Sequence, residues 1–262
     1  MHILLQSQGP SPQEGLAVRM AARDQGHTVA TLQWPKQKFP SKPFMPVGSV
    51  EFCLAAFQHQ GIDVSHGFNG YPTGLLHRVF FRRNVFVTSL QTLKEAIWPK
   101  HGWFIRPIWP VKLFPAQVHS DFDSLRNLLS QEKVLPPEDK FQTFRVYQAE
   151  PVRFVSEWRY YVTGGQIMGA GRYDDGSDLA PTPKLEVVQA AIAQLQRSRD
   201  IPAGFSLDFG VMDDLRTTEL VEANDGWALG LYKGTMHRDF YLKLLAARFE
   251  EIQARKSLVT RV

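Results

Sequence analysis

The 262-residue chain carries a single cysteine, Cys53. One thiol excludes an intramolecular disulfide and any zinc site built from several cysteines, so a reducing compartment is the default expectation. No stretch approaches the roughly 20 uninterrupted apolar residues that a membrane-spanning helix requires. The apolar start Met1–Leu5 meets Gln6, Ser7 and Gln8 at once and has no basic leader, which is too short for a secretory signal core. The expectation is a cytoplasmic protein with no membrane partner. Long basic runs are also missing: Arg82-Arg83 and Arg255-Lys256 are the adjacent basic pairs, and the formal net charge is +4. That surplus suits a site for an anionic small molecule, such as a nucleotide, better than nucleic acid, which calls for a basic stripe. The eight histidines show no His-x-x-His or His-Glu-x-x-His spacing, and no nucleophile-elbow motif marks a Ser-His-Asp arrangement.

The composition is that of an ordinary globular protein, 44% hydrophobic and 21% charged. Ile3-Leu4-Leu5 reads as a buried strand. Leu16, Ala17, Met20 and Ala21 recur at helical spacing over 13–25, and Gly26 ends that helix. Thr28–Leu32 reads as a second strand, so the chain opens as a parallel α/β lobe. Four prolines make 34–46 a loop. A helix opens at Gly48-Ser49, and Gly61–Gly74 reads as a long irregular connection. Thr88-Ser89-Leu90-Gln91 fits a capping box for a helix reaching Trp98, where Pro99 stops it. Trp103–Arg106 is a short strand and Asp121–Leu129 a helix. From Phe144 to Leu229 the pattern is mostly strand, interrupted by a helix over 185–197, and a last helix spans 238–253. This mixture predicts an α+β protein of several lobes.

One hairpin carries the most chemistry. Phe205–Met212 and Thr218–Asn224 read as strands joined by a polar turn. Alternation places Phe205, Leu207, Phe209 and Val211 on one face and Ser206, Asp208 and Gly210 on the other. With the turn centred on Leu215, Asp208 faces Glu222, Ser206 faces Asn224 and Gly210 faces Leu220, with Leu220, Glu222 and Asn224 on one face. Two facing carboxylates repel, so something must compensate. A hard divalent cation fits: Mg²⁺ takes one or two carboxylates and completes its octahedron with waters and substrate phosphates. The alternative is a hairpin whose acids face solvent. The glycine-rich, apolar continuation Asp225-Gly226-Trp227, with Gly230, is unlike an exposed loop and argues against it.

The segment from Leu220 through Val221-Glu222-Ala223-Asn224-Asp225-Gly226-Trp227 to Tyr232 resembles the C-terminal signature of ATP-grasp enzymes, most closely a clade of small bacterial and phage ATP-grasp proteins. Gly48–Phe52, Phe104-Ile105-Arg106-Pro107 with Lys112-Leu113-Phe114, and Ser156-Glu157-Trp158-Arg159 resemble further segments of that clade in the same order. The resemblance implies two α+β lobes that sandwich ATP behind a small α/β lobe: 1–80 N-terminal, 81–145 central, and 146–262 C-terminal with the metal site. It implies an ATP- and Mg²⁺-dependent carboxylate–amine ligase, in which a substrate carboxylate attacks the γ-phosphate and an amine captures the acyl phosphate. The partners would be a small-molecule or peptide substrate with a carboxylate, and an amine acceptor. A phosphotransferase and a non-catalytic nucleotide-binding module are the alternatives.

By position, the resemblance assigns Asp208, Glu222 and Asn224 to the metal, and Arg106 and Lys112 to the nucleotide phosphates. Tyr147 and Gln148 fall where backbone groups meet adenine. Glu157 and Arg159, on one strand face at i and i+2, would be catalytic, the arginine clamping phosphate or carboxylate. The chain departs from the wider family in two respects: Arg106 stands where a lysine is usual, and Ile108-Trp109-Pro110-Val111 replaces a glycine-rich loop.

Overall fold

The structure is a computed structural model that describes residues 1–8, 11–64, 68, 70–76, 78–232 and 234–259. Residues 65–67 and 69 of the glycine-rich connection lie outside the described residues. The first lobe is a parallel sheet of β1 (His2–Gln6), β2 (Thr28–Leu32) and β3 (Met45–Val47), in the order β2-β1-β3. Helix α1 (Pro12–Asp24) follows β1, and α2 (Val50–His59) follows β3. Ser11 Oγ accepts from Glu14 N and Ser49 Oγ from Phe52 N, so each helix starts on a side-chain cap at the carboxyl end of its strand. The buried face of α1 holds Glu14, Val18, Ala21 and Ala22, while Leu16 is exposed. The apolar face therefore sits about half a turn from the one that Leu16 and Met20 suggest.

The central lobe is an antiparallel sheet, β4-β7-β5-β6, of β4 (Val85–Ser89), β5 (Trp103–Pro107), β6 (Gln117–His119) and β7 (Arg145–Ala149). A division at 145/146 would cut β7, so the central sheet runs on to Ala149. Helices α3 (Leu90–Glu95) and α4 (Phe122–Gln131) share a core with it, including Leu90, Leu93, Ile105, Leu125 and Val146. The cap of α3 is Ser89, whose Oγ accepts from Thr92 N; Thr88 belongs to β4, and the helix stops at Glu95, short of Trp98.

The C-terminal lobe is the antiparallel sheet β11-β10-β8-β9, made of β8 (Phe154–Thr163), β9 (Gln166–Arg172), β10 (Gly204–Met212) and β11 (Thr218–Asp225). One face packs Phe205, Leu207, Phe209, Tyr160 and Val162 against α5 (Leu185–Leu195). Helix α6 (Arg238–Val259) covers one end of the opposite face. Its Leu244 carbonyl comes so near Gly204 that a Cβ there would lie 2.4 Å from it, so only glycine permits this approach. Tyr241, Leu245 and Phe249 of α6 join Leu5, Phe52 and Phe57 of the first lobe in one core, which docks that lobe on the C-terminal one. The buried, two-pronged Arg248–Asp225 pair (2.6 and 2.7 Å) fixes α6 to the end of β11. The fold is α+β, as expected from the sequence.

Candidate active site between the lobes

The β10–β11 hairpin positions the acids. Its turn includes Leu215 at φ +61°, with the Asp214 carboxylate accepting from the backbone N–H groups of Arg216 and Thr217. Asp208 lies opposite Glu222 and Ser206 opposite Asn224, the pairs expected from the sequence. Gly210, however, faces Glu219, and Leu220 faces Phe209, because the register shifts between Asp208 and Phe209. Val221 is the extra residue of a β-bulge. A bulge re-aims the strand beyond it, so Leu220 enters the core with Phe209 while Glu222 and Asn224 stay on the cleft side. The expected shared face of Leu220 with Glu222 is thereby corrected.

The compensation for the facing acids is visible and is cationic. Arg159, opposite Asp208 on β8, donates from Nε to Asp208 Oδ1 at 2.8 Å and from Nη2 to Oδ2 at 2.6 Å. Arg106, at the end of β5 in the central sheet, donates from Nη1 to Glu222 Oε2 at 2.7 Å. Asn224 Nδ2 donates to Glu222 Oε1 (3.1 Å) and Asp208 Oδ2 (3.3 Å). Two carboxylates and two guanidinium groups thus form a neutral cluster that ties the two sheets together across a cleft of about 830 Å³.

Burial sets the electrostatics. Asp208 is fully buried, and burial pushes its carboxyl up to about 6 against the pull of Arg159. Burial also works against the Arg159 charge, but the Asp208 carboxylate more than offsets it and raises that pKa. Glu222 is less enclosed, with 26% of its side chain exposed. Burial opposes its charge, yet Arg106 and then Arg159 hold it below the usual glutamate value.

The other expected residues divide. Lys112 is exposed and lines the cleft on the 108–116 segment, near Arg106. Glu157 is on the Arg159 face of β8, opposite Gly210. It accepts from the Tyr173 hydroxyl at 2.7 Å rather than lining the cleft, and burial raises its pKa. Tyr147 and Gln148, expected at the adenine, lie on β7, which runs between β4 and β5 and pairs with both. The interlobe segment begins after Ala149. The Tyr147 ring instead packs edge-on against Tyr71 at 5.2 Å.

Several residues in or beside the cleft carry no motif in the sequence. Tyr71 lies in the glycine-rich connection, and the Arg106 guanidinium sits over its ring at 5.3 Å. Tyr173 and Tyr232 stack at 5.3 Å, and Arg159 lies over both rings. Arg83 and Glu219 form a further buried ion pair at 3.2 Å. The one available signal was Tyr232, at the end of the segment carrying Glu222 and Asn224.

Among the described residues, no three His, Cys, Asp or Glu side chains gather as a metal site. Asp208, Glu222 and Asn224 together offer two carboxylates and a carboxamide, oxygen donors whose chemistry suits a Mg²⁺ that takes its remaining ligands from water and phosphate.

The fold recurs in solved structures. The RimK domain protein ATP-grasp from Sphaerobacter thermophilus DSM 20745 matches with a TM-score of 0.55 and 13% identity over 94% of this chain and 100% of that one. The D-alanine-D-alanine ligase from Coxiella burnetii matches at 0.55 and 8%, covering 99% and 98%. The macrocyclase MdnC bound with precursor peptide MdnA, from Microcystis aeruginosa MRC, matches at 0.52 and 11%, covering 94% and 99%. No curated protein matches the chain in sequence. A family model described as an ATP-grasp domain, the second family of its clade, matches residues 80–243, which hold both antiparallel sheets, the acid pair and the two arginines. The chain belongs to the ATP-grasp family.

Proposed function

We propose that this cleft binds Mg-ATP and joins a carboxylate to an amine through an acyl phosphate. The observation that carries the reading is the cluster of Asp208, Glu222 and Asn224 facing Arg106 and Arg159 between two sheets. Asp208, Glu222 and Asn224 would hold Mg²⁺, which when bound neutralises the charge developing on the phosphates. Arg106 and the exposed Lys112 face the triphosphate, and the planar guanidinium of Arg106 can take two phosphate oxygens. Arg159 stands between the phosphate end and the rest of the cleft, fixed by its strand and by the rings of Tyr173 and Tyr232.

A cation fixed at that point lowers the repulsion between a substrate carboxylate and the γ-phosphate. A carboxylate oxygen attacks the γ-phosphorus, a new O–P bond forms, and the bond to the β-phosphate oxygen breaks, releasing ADP. The amine nitrogen then attacks the acyl carbon. The C–N bond forms, the C–O bond to phosphate breaks, and the amine proton passes to solvent. Arg159 holds the acyl phosphate oxygens while the amine arrives, and positioning of this kind is most of what phosphoryl transfer asks of a protein. The family and the shared fold of the D-alanine-D-alanine ligase support the reading.

The test is ADP release with a panel of carboxylates and amines, followed by mass detection of the product. A donor labelled with ¹⁸O in its carboxylate should then pass label to the released phosphate. Product formation with no label in the released phosphate would show that no acyl phosphate forms.

A further inference from the structure

Strand β11 is an edge of the C-terminal sheet, paired with β10 on one side only. Glu222 and Asn224 therefore stand on a strand whose outer backbone groups need partners from elsewhere. A connection that precedes the central lobe supplies them. The Ala223 N–H donates to the Gly70 carbonyl at 2.8 Å, and the Gly70 N–H donates to the Ala223 carbonyl at 2.9 Å. Two residues earlier, the Val221 carbonyl accepts from Arg83 Nη2 at 3.3 Å. Val221 and Ala223 flank Glu222, so the outer edge of β11 is braced on both sides of that carboxylate. Val221 is also the bulge residue that keeps Glu222 on the cleft side.

Arg83 is buried, and its surroundings hold it in one place. Its Nη1 donates to Glu219 Oε2 at 3.2 Å, on the same strand as Val221. Its guanidinium lies over the rings of Tyr71 and Phe154, 5.4 and 5.9 Å from their centres. Gly210, opposite Glu219, makes room for the second ring: a Cβ there would lie 2.2 Å from a Phe154 ring carbon. The Tyr71 ring also seats Arg106 at 5.3 Å, and Arg106 donates to Glu222. Arg83 thus reaches Glu222 by two routes, through the Val221 backbone and through Tyr71 and Arg106. It lies behind the cleft wall to which Val221 and Tyr71 contribute. A forked guanidinium can bond Glu219 and Val221 together, which a single ammonium cannot do in the same geometry.

We propose that Arg83 is a positioning residue of the metal–nucleotide site, which aims the Glu222 carboxylate by holding the Val221 bulge and the Tyr71 ring behind it. The inference rests on the reading of the cleft as a Mg-ATP site.

The readout is the gain in affinity that Mg²⁺ confers. AMP-PNP, a non-hydrolysable ATP analogue, is titrated onto the protein by calorimetry, once with Mg²⁺ and once with EDTA. Mg²⁺ should tighten binding to the unaltered protein. Arg83→Lys keeps the charge beside Glu219 but gives up the Val221 contact, so the Mg²⁺ gain should fall about 10- to 100-fold, the range for groups that orient a metal ligand. Poor folding lowers the number of binding sites per chain and leaves the ratio of the two affinities unmoved, so the ratio separates positioning from a merely structural role. In the Glu222→Gln background the Arg83→Lys effect on the ratio should vanish, because both changes act through one carboxylate. Arg83→Met/Glu219→Met replaces the whole buried pair with apolar side chains, an exchange that is often neutral for stability. It should show the same loss of Mg²⁺ gain, and it decides the matter where Arg83→Lys folds poorly. Absence of any Mg²⁺ gain in the unaltered protein would sink the Mg-ATP reading itself. A gain that survives intact in the Arg83 variants, or a loss that persists undiminished with Glu222→Gln, would overturn the positioning role and leave that reading standing.

Discussion

Removing the Arg159 guanidinium tests the core of the site most directly. Asp208 is fully buried, and both of its oxygens accept from Arg159, at 2.8 and 2.6 Å; the Asn224 amide adds a longer bond at 3.3 Å. In Arg159→Met the side chain stays long and apolar, but the carboxylate loses its charged partner. Stripping one member from a buried pair costs about 3–5 kcal/mol, on the order of 10 °C in melting temperature for a chain of this size. The pH dependence has a definite sign. Asp208 already stands at about 6 in the folded protein, above its unfolded value near 3.8, so the folded state binds the proton more tightly. Its contribution is fully present below the unfolded pKa and is lost as pH rises to the folded one. Without Arg159 the folded pKa climbs further, so the deficit relative to the unaltered protein should open above about pH 6 and widen toward pH 8. In the double variant Arg159→Met/Asp208→Asn neither charge remains. Its loss should fall short of the sum of the two single losses by about 2 kcal/mol or more. Thermal unfolding of the four proteins from pH 5 to 8, without nucleotide, reads all of this. Additive losses, or an Arg159→Met deficit that does not change with pH, would refute the assigned pairing.

Arg159→Lys keeps the charge but not the two-pronged geometry, so it should bind Mg-ATP nearly as the unaltered protein does and lose most turnover; equal turnover would remove Arg159 from the reacting centre. Arg106→Ala should weaken Mg-ATP binding about 10- to 100-fold, because it strips a fixed cation from the cleft, whereas the exposed Lys112→Ala should cost only a few-fold; calorimetry showing the reverse order would reassign the phosphate contacts. Glu222→Gln should abolish Mg²⁺-dependent ADP release while preserving the circular dichroism spectrum, and full activity would exclude Glu222 from the metal. Asp174 sits at about 2, held there chiefly by Arg172. A lowered carboxyl pKa stabilises fully above the unfolded value near 3.8 and fades as pH falls toward 2. Solvent screens this pair, so Asp174→Asn should cost about 1 kcal/mol at pH 7 and about half as much at pH 3, as measured by urea unfolding.

Local periodicity made much of this protein legible. Alternation along 205–212 was enough to put Asp208 on the cleft face, but its place opposite Glu222 also needs the bulge, because the turn pairs Val211 with Thr218 and Gly210 with Glu219, a register that by itself would set Asp208 opposite Val221. The caps at Ser49 and Asp121 and the strand at Thr28–Leu32 follow from similarly short-range rules. The resemblance of the 220–232 segment pointed to the family, which the match over 80–243 shows. What the sequence left open depends on contacts between distant residues. The bulge at Val221 is a single extra residue, invisible to a period of two, and it moves Leu220 from the acid face into the core. Arg159 and Asp208 are 49 positions apart and Arg106 and Glu222 are 116 apart. Strand alternation shows which way such side chains point but not what they meet. Glu14 carries the same lesson: in the sequence it is one acid in the first turn of a helix, and only the docking of that lobe on α6 and the 229–231 segment buries it beside the cleft. Hairpin register and helix caps are settled within a few residues, whereas the charge balance of a cleft between lobes is settled only when the lobes pack.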